Sequence, residues 1–195
     1  MSREAHVQFC ESLGVRFPGA THLVICCRGK AEDALATMRN MMNKVKLTVN
    51  DTKTRVCKLP EEKFDFLGYT FGRCYSTKTG RAYLGTVPSK KRVQRICAAI
   101  SNETGRNTLL LDVEAVVGKL NQMLRGWANY FCLGPVSTAY RAVDQHTRKR
   151  LRQWLCAKHK VAWPGKKRFP TVSFYQVHGL VRLAERTANL PWAKP

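Results

Sequence analysis

Lysine and arginine side chains are the residues of this sequence whose type and spacing could do chemistry, because clustered cations bind and neutralise phosphate groups. They crowd the start of one predicted helix, lie between the apolar positions of two others, and occupy a loop after the last helix. The candidate phosphate contacts are Lys90, Lys91, Arg92, Arg95, Arg125, Arg141, Arg148, Lys149, Arg152, Lys158, Lys160, Lys166, Lys167 and Arg168. Residues 166–168 are flanked by turn residues and are easy to expose, so we favour phosphate contact over a merely solvated loop.

The charge of the whole chain supports this interpretation. Its 195 residues include 34 Lys+Arg against 13 Asp+Glu, a formal net charge of +21, and 44% are hydrophobic. Glu185 is the only acidic residue after Asp144, whereas twelve Lys or Arg follow that aspartate. Periodic apolar positions exclude a disordered charged tail. Because so large an imbalance makes a compact state repel itself unless polyanions are near, nucleic acid is the predicted partner.

The sequence offers little for metal binding or nucleophilic catalysis. Its eight cysteines include no Cys-x-x-Cys pair, and Cys156 with His159 is one half-site without a second half. His22, His146 and His159 have no carboxylate or cysteine at catalytic spacing, so each is expected to be polar or partly buried. Scattered thiols and the lack of a signal-length or membrane-length apolar run are typical of a soluble protein of the reducing cytosol. We therefore predict no catalytic residue, no bound metal and no membrane contact.

The first half of the chain mixes predicted strands with one helix. Leu23–Cys27 is short, apolar and partly β-branched, which indicates a buried strand. Ala31–Val45 has the spacing of an amphipathic helix, with Leu35, Met38, Met42 and Val45 on one face. Further strands are predicted at Lys46–Val49, Thr54–Leu59, Phe64–Phe71 with a bulge or close approach at Gly68, and Ala82–Val87 as the hairpin partner of Tyr69–Tyr75. Met1–Pro18 predicts no element.

After Pro88 the pattern becomes helical. Ser89, Asp112 and Ser137 are the predicted N-caps of three helices, and Gly134–Pro135 ends the second. Their apolar stripes are Val93, Ile96, Cys97 and Ile100; Val113, Val116, Val117, Leu120, Leu124, Trp127 and Phe131; and Tyr140, Val143, Thr147, Leu151, Trp154 and Leu155. A polar loop at Ser101–Thr108 separates the first two helices, a basic loop follows at Trp163–Pro170, and Ser173–Leu183 contains one more short element. Short connections predict a small bundle, so the fold class is α+β.

Three segments together resemble the reverse transcriptase and maturase proteins that group II introns encode. Asn50-x-x-Lys53-Thr54 followed by Phe66-Leu67-Gly68-Tyr69 is similar to the closing strands of a reverse-transcriptase palm. Leu124–Phe131 resembles the signature of the maturase-specific region, the X or thumb domain. The tail of bacterial members is resembled by Arg150–Leu155, Lys158–Lys160 and Arg168–Pro170. The resemblance runs from about Leu23 to the end and implies a partial palm, strands plus one helix, followed by an α-helical thumb or maturase bundle.

The sequence departs from this family where the polymerase metal site would lie. The family has Tyr-Ala-Asp-Asp before the strand that contains Val24 here, and its aspartates hold two metal ions, whereas this sequence has Gly19-Ala20-Thr21-His22. Thr21 and His22 are the degenerate metal positions; they cannot replace carboxylates, because Mg²⁺ prefers anionic oxygen ligands. No segment resembles the fingers or the earlier palm. The resemblance therefore implies polymerase inactivity of the chain alone, with Mg²⁺ as a cofactor only if a partner completes the site.

The resemblance also implies a division of the chain and a partner. Residues 23–87 would be the partial palm, 88–160 the helical thumb or maturase-specific domain and 161–195 a basic tail, with 1–22 unassigned. The implied partner is group II intron RNA, with a DNA target as a further candidate, in the bacterial cytoplasm; the implied role is to assist intron folding and splicing. Two alternatives stay open: the downstream piece of a split RNA-directed DNA polymerase, and a remnant with no selected role.

Three aromatic residues and one lysine have two interpretations each. Trp127 and Tyr130 could stack on unpaired bases. Trp127 has the helical spacing of the core, as Trp154 does, so core packing is the favoured prediction for both tryptophans. By resemblance Lys53 would lie near the phosphates of a nucleotide, but without the aspartates we expect it only to stabilise a turn.

Overall fold

The structure is a computed structural model that describes residues 5–11, 22–27, 30–47, 49–76 and 79–187. Helices and strands are both present, which confirms the α+β class. The chain divides into two compact units between Gly85 and Thr86. The strands are β1 Ala5–Glu11, β2 His22–Cys27, β3 Arg55–Leu59, β4 Phe64–Phe66, β5 Tyr69–Tyr75 and β6 Ala82–Pro88. The α-helices are α1 Ala31–Lys44, α2 Lys90–Glu103, α3 Val113–Tyr130, α4 Ser137–Lys158, α5 Thr171–Gln176 and α6 Leu183–Arg186.

A three-stranded antiparallel sheet with α1 beside it forms part of the first unit. β1 is its central strand and places Val7 opposite Cys26 of β2 and Cys57 of β3. The sequence pattern predicted no element before Pro18, so β1 is an addition. The predicted strand at β2 is present, but Cys26 is exposed and Val24, Ile25 and Cys27 are only half-buried, so the expectation of a buried strand is wrong.

A second sheet has the strand order β4-β5-β6. The predicted strand Phe64–Phe71 is in fact two strands, joined by a two-residue turn in which Leu67 and Gly68 have φ of 50° and 85°. Positive φ at both central positions matches the right-handed twist of a hairpin, so Gly68 marks a turn and not a bulge. The expected pairing of β5 with β6 is confirmed. Phe64 stacks on Phe71 across the turn, with ring centroids 5.1 Å apart.

The end of α1 replaces another predicted strand. Lys46 has φ of 56° and its amide donates to Asn43 O at 3.0 Å, while the Leu47 amide donates to Met42 O at 2.9 Å. These two bonds satisfy carbonyls that have no helical partner and form a Schellman motif. The strand expected at Lys46–Val49 is therefore wrong in its described residues; Thr48 lies outside them. On the apolar face that the sequence predicted, Met38 is buried, whereas Val45, which follows the helix as its C-cap residue, is exposed.

The second unit is a helical bundle in which α2, α3 and α4 share one core and α6 closes it. The predicted stripes supply that core: Ile96, Ile100, Val116, Val117, Leu120, Leu124, Tyr140, Val143, Leu151, Trp154 and Leu155 are buried, and Phe174, Leu180 and Leu183 join them. Four other members of the predicted stripes, Val93, Cys97, Val113 and Trp127, are half-buried and pack against this core.

The helix ends agree with the predictions in part. Ser89 Oγ accepts a hydrogen bond from the Arg92 amide at 3.4 Å, which confirms this N-cap. Asp112 occupies the cap position of α3 without a side-chain bond. Ser137 is the first residue of α4, not its cap, because the buried Val136 precedes it as N-cap. Just before α4, Gly134 turns the chain with φ of 75°. It lies against the Thr86 carbonyl, where a β-carbon would clash.

The predicted connections also change. α2 continues to Glu103, so the polar loop expected from Ser101 begins later. The single short element expected within Ser173–Leu183 is instead two helices, α5 and α6. In the part of the chain that the structure describes, no helix combines the length and apolar character needed to cross a bilayer.

Candidate nucleic-acid interface

Positive charge is concentrated in the second unit, and three of its five acids are buried or paired with a nearby cation, whereas Asp112 and Glu114 are exposed. Residues 86–195 contain 20 Lys or Arg, and their five acids are Glu103, Asp112, Glu114, Asp144 and Glu185. Glu103 pairs with Lys119 at 3.6 Å, and Glu185 pairs with Arg182 at 3.2 Å. Asp144 is 5% exposed. The acids therefore offset little of the positive potential that the surface presents.

Eleven of the fourteen predicted phosphate contacts are exposed. They are Lys90, Lys91, Arg92, Arg95, Arg125, Arg141, Lys149, Lys160, Lys166, Lys167 and Arg168. Within the described residues none of these eleven forms an ion pair. A cation held by a carboxylate must lose that partner before it meets a phosphate, whereas these cations exchange only solvent and counterions.

The start of α2 holds four of these cations against the helix dipole. Lys90, Lys91, Arg92 and Arg95 lie in the first two turns, and the first turn contains no acid. A cation at a helix N-terminus is unfavourable by about 0.3–1 kcal/mol, because the amide ends there carry partial positive charge. A bound phosphate would make the electrostatic energy at this helix end favourable, since both the amides and the side chains attract it.

Three predicted contacts have their charged groups engaged inside the unit. Arg152 donates from Nε to Phe169 O at 3.0 Å and from Nη2 to Thr171 Oγ1 at 2.7 Å. Lys158 Nζ donates to the carbonyls of Leu109 at 2.9 Å and Leu111 at 2.8 Å. Both side chains join segments that are distant in sequence, which is a structural role.

Arg148, the third, is half-buried and donates from Nε to Asp144 O at 3.3 Å. The sequence alone grouped these three with the exposed cations, because each lies beside exposed positions on its helix.

Arg150 is an engaged cation that the sequence analysis did not single out. Its guanidinium donates to Ser101 O and Thr104 O at 2.9 Å each, to Thr104 Oγ1 at 3.2 Å and to Gln153 Oε1 at 3.2 Å. The two carbonyls lie at the end of α2, where no helical amide donates to them and Ser101 O has only a long bond of 3.5 Å from Thr104 Oγ1 besides. Arg150 thus closes α2 from α4. Its spacing from Thr147 and Trp154 places it beside the buried stripe, which is the signal that could have found it.

Asp144 accepts hydrogen bonds from the backbone amides at the start of α6, as Arg150 donates to carbonyls at the end of α2. Its two carboxylate oxygens accept from the amides of Leu183 and Ala184, each at 3.0 Å. Burial raises the pKa of this carboxyl, although the two amide bonds and the nearby Arg148 oppose the rise. The position was readable in principle, since Asp144 falls four residues after Tyr140 and three before Thr147, both on the buried stripe.

The aromatic residues follow the core interpretation. Trp154 is 2% exposed and its Nε1 donates to Thr108 Oγ1 at 3.0 Å. Trp127 is half-buried and lies 5.0 Å from the Phe131 ring and 5.8 Å from the Tyr140 ring, measured between centroids. Core packing is therefore confirmed for both tryptophans. Tyr130 keeps 55% of its surface exposed.

His146, Lys53 and His22, which the sequence analysis discussed, also have defined positions in the structure. His146 Nε2 lies 2.9 Å from Ser101 Oγ, and burial lowers the pKa of this ring, as expected for a half-buried polar residue. Lys53 ends a single 3₁₀ turn at Asp51–Lys53. Thr21 lies outside the described residues, and His22 begins β2. Among the described side chains no three His, Cys, Asp or Glu lie close enough together to hold a metal ion.

Residues 93–169 match the family model described as the group II intron, maturase-specific domain. The match begins in α2, includes α3 and α4, and ends at Phe169, within the basic loop Trp163–Pro170. It confirms, over these residues, the resemblance to the C-terminal part of group II intron maturases. A search of curated proteins found no match.

Proposed function

We propose that this chain, whose residues 93–169 match the maturase-specific domain of group II introns, is an RNA-binding maturase-type protein that assists the folding and splicing of an intron RNA. In this proposal the second unit is the thumb or maturase-specific domain and the first unit is a partial palm. The protein acts in the bacterial cytoplasm, and group II intron RNA is its partner.

The observation that carries the proposal is the set of exposed, unpaired cations on the part of the chain that matches the family. Most of the eleven exposed cations lie within residues 93–169, and three more precede Val93 at the start of α2. Cations of this kind meet phosphates without base specificity and hold a structured RNA by its shape. The internally engaged Arg150, Arg152 and Lys158 would keep the helices in place beneath them.

The contribution to splicing in this mechanism is indirect. Phosphates that approach each other in a compact RNA fold repel, and lysine or arginine side chains placed between them offset that repulsion. The protein lowers the free energy of the folded intron relative to its open forms. The RNA carries out the transesterification, so no protein side chain needs to touch the reacting phosphate.

The basic loop provides the direct test. We expect replacement of Lys166, Lys167 and Arg168 by Ala to weaken binding to a group II intron transcript and to flatten its dependence on salt. Each lost phosphate contact lowers the slope of log affinity against log salt by about one. Filter binding across a range of salt concentrations measures both quantities, with an unrelated structured RNA of equal length as the specificity reference.

A matched control removes the same charge elsewhere. Lys30, Lys44 and Lys58 are exposed cations of the first unit, outside the family match. Their joint replacement by Ala lowers the net charge by the same three and should leave the slope unchanged. Equal effects from the two triple variants would reduce the interaction to unspecific charge and contradict the proposed interface.

A further inference from the structure

A cavity of about 380 Å³ opens in the second unit between the end of α2, the C-terminal half of α4 and the segment that follows α4. Pockets that bind small organic groups have volumes of about 300–1,000 Å³. The lining residues that matter here are Arg106, Leu109, Gln153, Trp154 and Trp163. Its inner wall is the edge of the bundle core, and its outer wall is the turn that carries Trp163.

Trp163 is a large aromatic residue held open to solvent by a fixed turn. It is 51% exposed, whereas Trp154 on the same cavity is buried. The Val161 amide donates to Cys156 O at 2.8 Å, and the Phe169 amide donates to Gly165 O at 2.8 Å. Gly165 has φ of 56° and lies against Cys156 Sγ, so the turn rests directly on α4. An indole ring kept exposed in this way offers a face for stacking.

The polar groups of the cavity are mainly donors. Gln153 Oε1 accepts from Arg150 Nη1 at 3.2 Å, which leaves the Gln153 Nε2 group to donate. Arg106 adds an exposed guanidinium. The carbonyls of Thr104 and Leu109 are occupied by Arg150 and Lys158. A ligand that fits an aromatic face with hydrogen-bond donors beside it is a planar group that has acceptor atoms and a negative charge nearby.

We propose that this cavity receives one unpaired base of the bound RNA, stacked on Trp163, with Gln153 donating to the base edge and Arg106 to the adjoining phosphate. The inference rests on the proposed RNA binding and names the unpaired nucleotide as a second feature that the protein recognises. Lys160 and Lys166 flank Trp163 in the chain and are exposed, so phosphates on either side of that base have cations within the same loop. Stacking on aromatic side chains is how unpaired bases are commonly held.

Two substitutions separate stacking from charge. We expect Trp163→Leu to weaken binding of a single-stranded RNA of about ten nucleotides by roughly 5- to 100-fold at every salt concentration. The salt slope should stay at the wild-type value, because no phosphate contact is lost. Trp163→Phe keeps an aromatic face and should stay near wild type. With an abasic oligomer, which keeps the phosphates and lacks the bases, Trp163→Leu and wild type should bind equally.

Photo-crosslinking locates the base. RNA containing 4-thiouridine should crosslink to the tryptic peptide that ends at Lys166 and begins at Val161, in which Trp163 is the aromatic residue. If the crosslinks lie elsewhere and Trp163→Leu binds RNA with wild-type affinity, the proposal that the cavity receives a base is overturned. The salt-dependent RNA binding, and with it the proposed function, is unaffected by that result. The base-binding proposal is also overturned if Trp163→Leu weakens binding of the abasic oligomer, or of polyglutamate, as much as it weakens binding of the RNA. Those results would assign the cavity to anions or to an acidic protein. If wild type retains no RNA at low salt, the proposed function itself fails.

Discussion

Replacing Arg150 with Met should destabilise the end of α2 while leaving the contacts of the exposed cations with RNA phosphates intact. Methionine keeps the length of the aliphatic stem but removes the guanidinium, which now donates to Ser101 O, to Thr104 O and Oγ1, and to Gln153 Oε1. The bonds to the two backbone carbonyls are the important losses, because no helical amide can replace Arg150 as their donor. Gln153 can turn to water.

The magnitude follows from those two carbonyls. A hydrogen bond to a charged group contributes about 1.5–3 kcal/mol when it is well buried. Arg150 is only half-buried, so water replaces part of each bond and about 1–1.5 kcal/mol per carbonyl is the fitting value. Arg150→Met should therefore lower the free energy of unfolding by about 2–3 kcal/mol. Arg150→Lys keeps the charge but not the planar fork, and should lose about half as much.

Tryptophan fluorescence during urea unfolding is the assay. All four tryptophans follow residue 86, so their emission reports the second unit. With a denaturant slope of about 1–3 kcal/mol per molar, the midpoint of Arg150→Met should fall by roughly 1 M urea. Lys149→Met is the matched control, because Lys149 is the exposed neighbour on the same helix and its loss should change stability by less than about 0.5 kcal/mol.

The same two variants should behave in the opposite way toward RNA. Lys149→Met is expected to lower the salt slope by about one, whereas Arg150→Met should leave it unchanged below its unfolding midpoint. If Arg150→Met and Lys149→Met share one urea midpoint, the helix-closing role of Arg150 is refuted. If Arg150→Met lowers the slope as much as Lys149→Met does, the division into structural and RNA-facing cations is wrong.

Further predictions concern Asp144 and polymerase activity. Asp144→Asn leaves one of the two α6 amides without an acceptor, so we expect a loss of about 1–3 kcal/mol and faster hydrogen exchange at Leu183 and Ala184; unchanged exchange would show that α6 does not depend on this carboxylate. Because burial raises the pKa of Asp144, the native state binds its proton more tightly than the unfolded chain does. Wild type should therefore lose stability relative to Asp144→Asn as pH rises from about 4 to the raised pKa, which paired urea midpoints measure; a constant difference would contradict the shift. The purified chain should incorporate no labelled nucleotide on a primed RNA template, and incorporation abolished by chelating Mg²⁺ would overturn that expectation.

The helices of the second unit were predictable because burial there follows local spacing. Leu120 and Leu124 of α3, like Leu151 and Leu155 of α4, are four residues apart, and all four are buried. The strands were harder. The run from Phe64 to Phe71 has polar residues only at Asp65 and Thr70, neither of them at the turn, so the sequence could not distinguish one long strand from two strands around Leu67 and Gly68. β1 depends on partners in β2 and β3 that its own residues do not indicate.

The sequence predicted the candidate site as a set of cations, but it could not show which cations are exposed and which are bound inside the bundle. Arg150, Arg152 and Lys158 donate to backbone carbonyls of Thr104, Phe169 and Leu109. Every peptide unit carries a carbonyl, so such acceptors leave no trace in residue types. A carboxylate partner would have been visible in the sequence, whereas a helix end that needs a donor becomes visible only once the helices are packed.

The place of α6 determines when this bundle can finish folding. Leu180 and Leu183 belong to the same core as Leu124 and Leu151, and Asp144 finds its two amides only at Leu183 and Ala184. While the chain is being synthesised, α2, α3 and α4 leave the ribosome first. Until residue 184 emerges, part of the apolar core of the nascent bundle is uncovered and Asp144 lacks its two amide partners, so the fold can close only after this short segment has been translated.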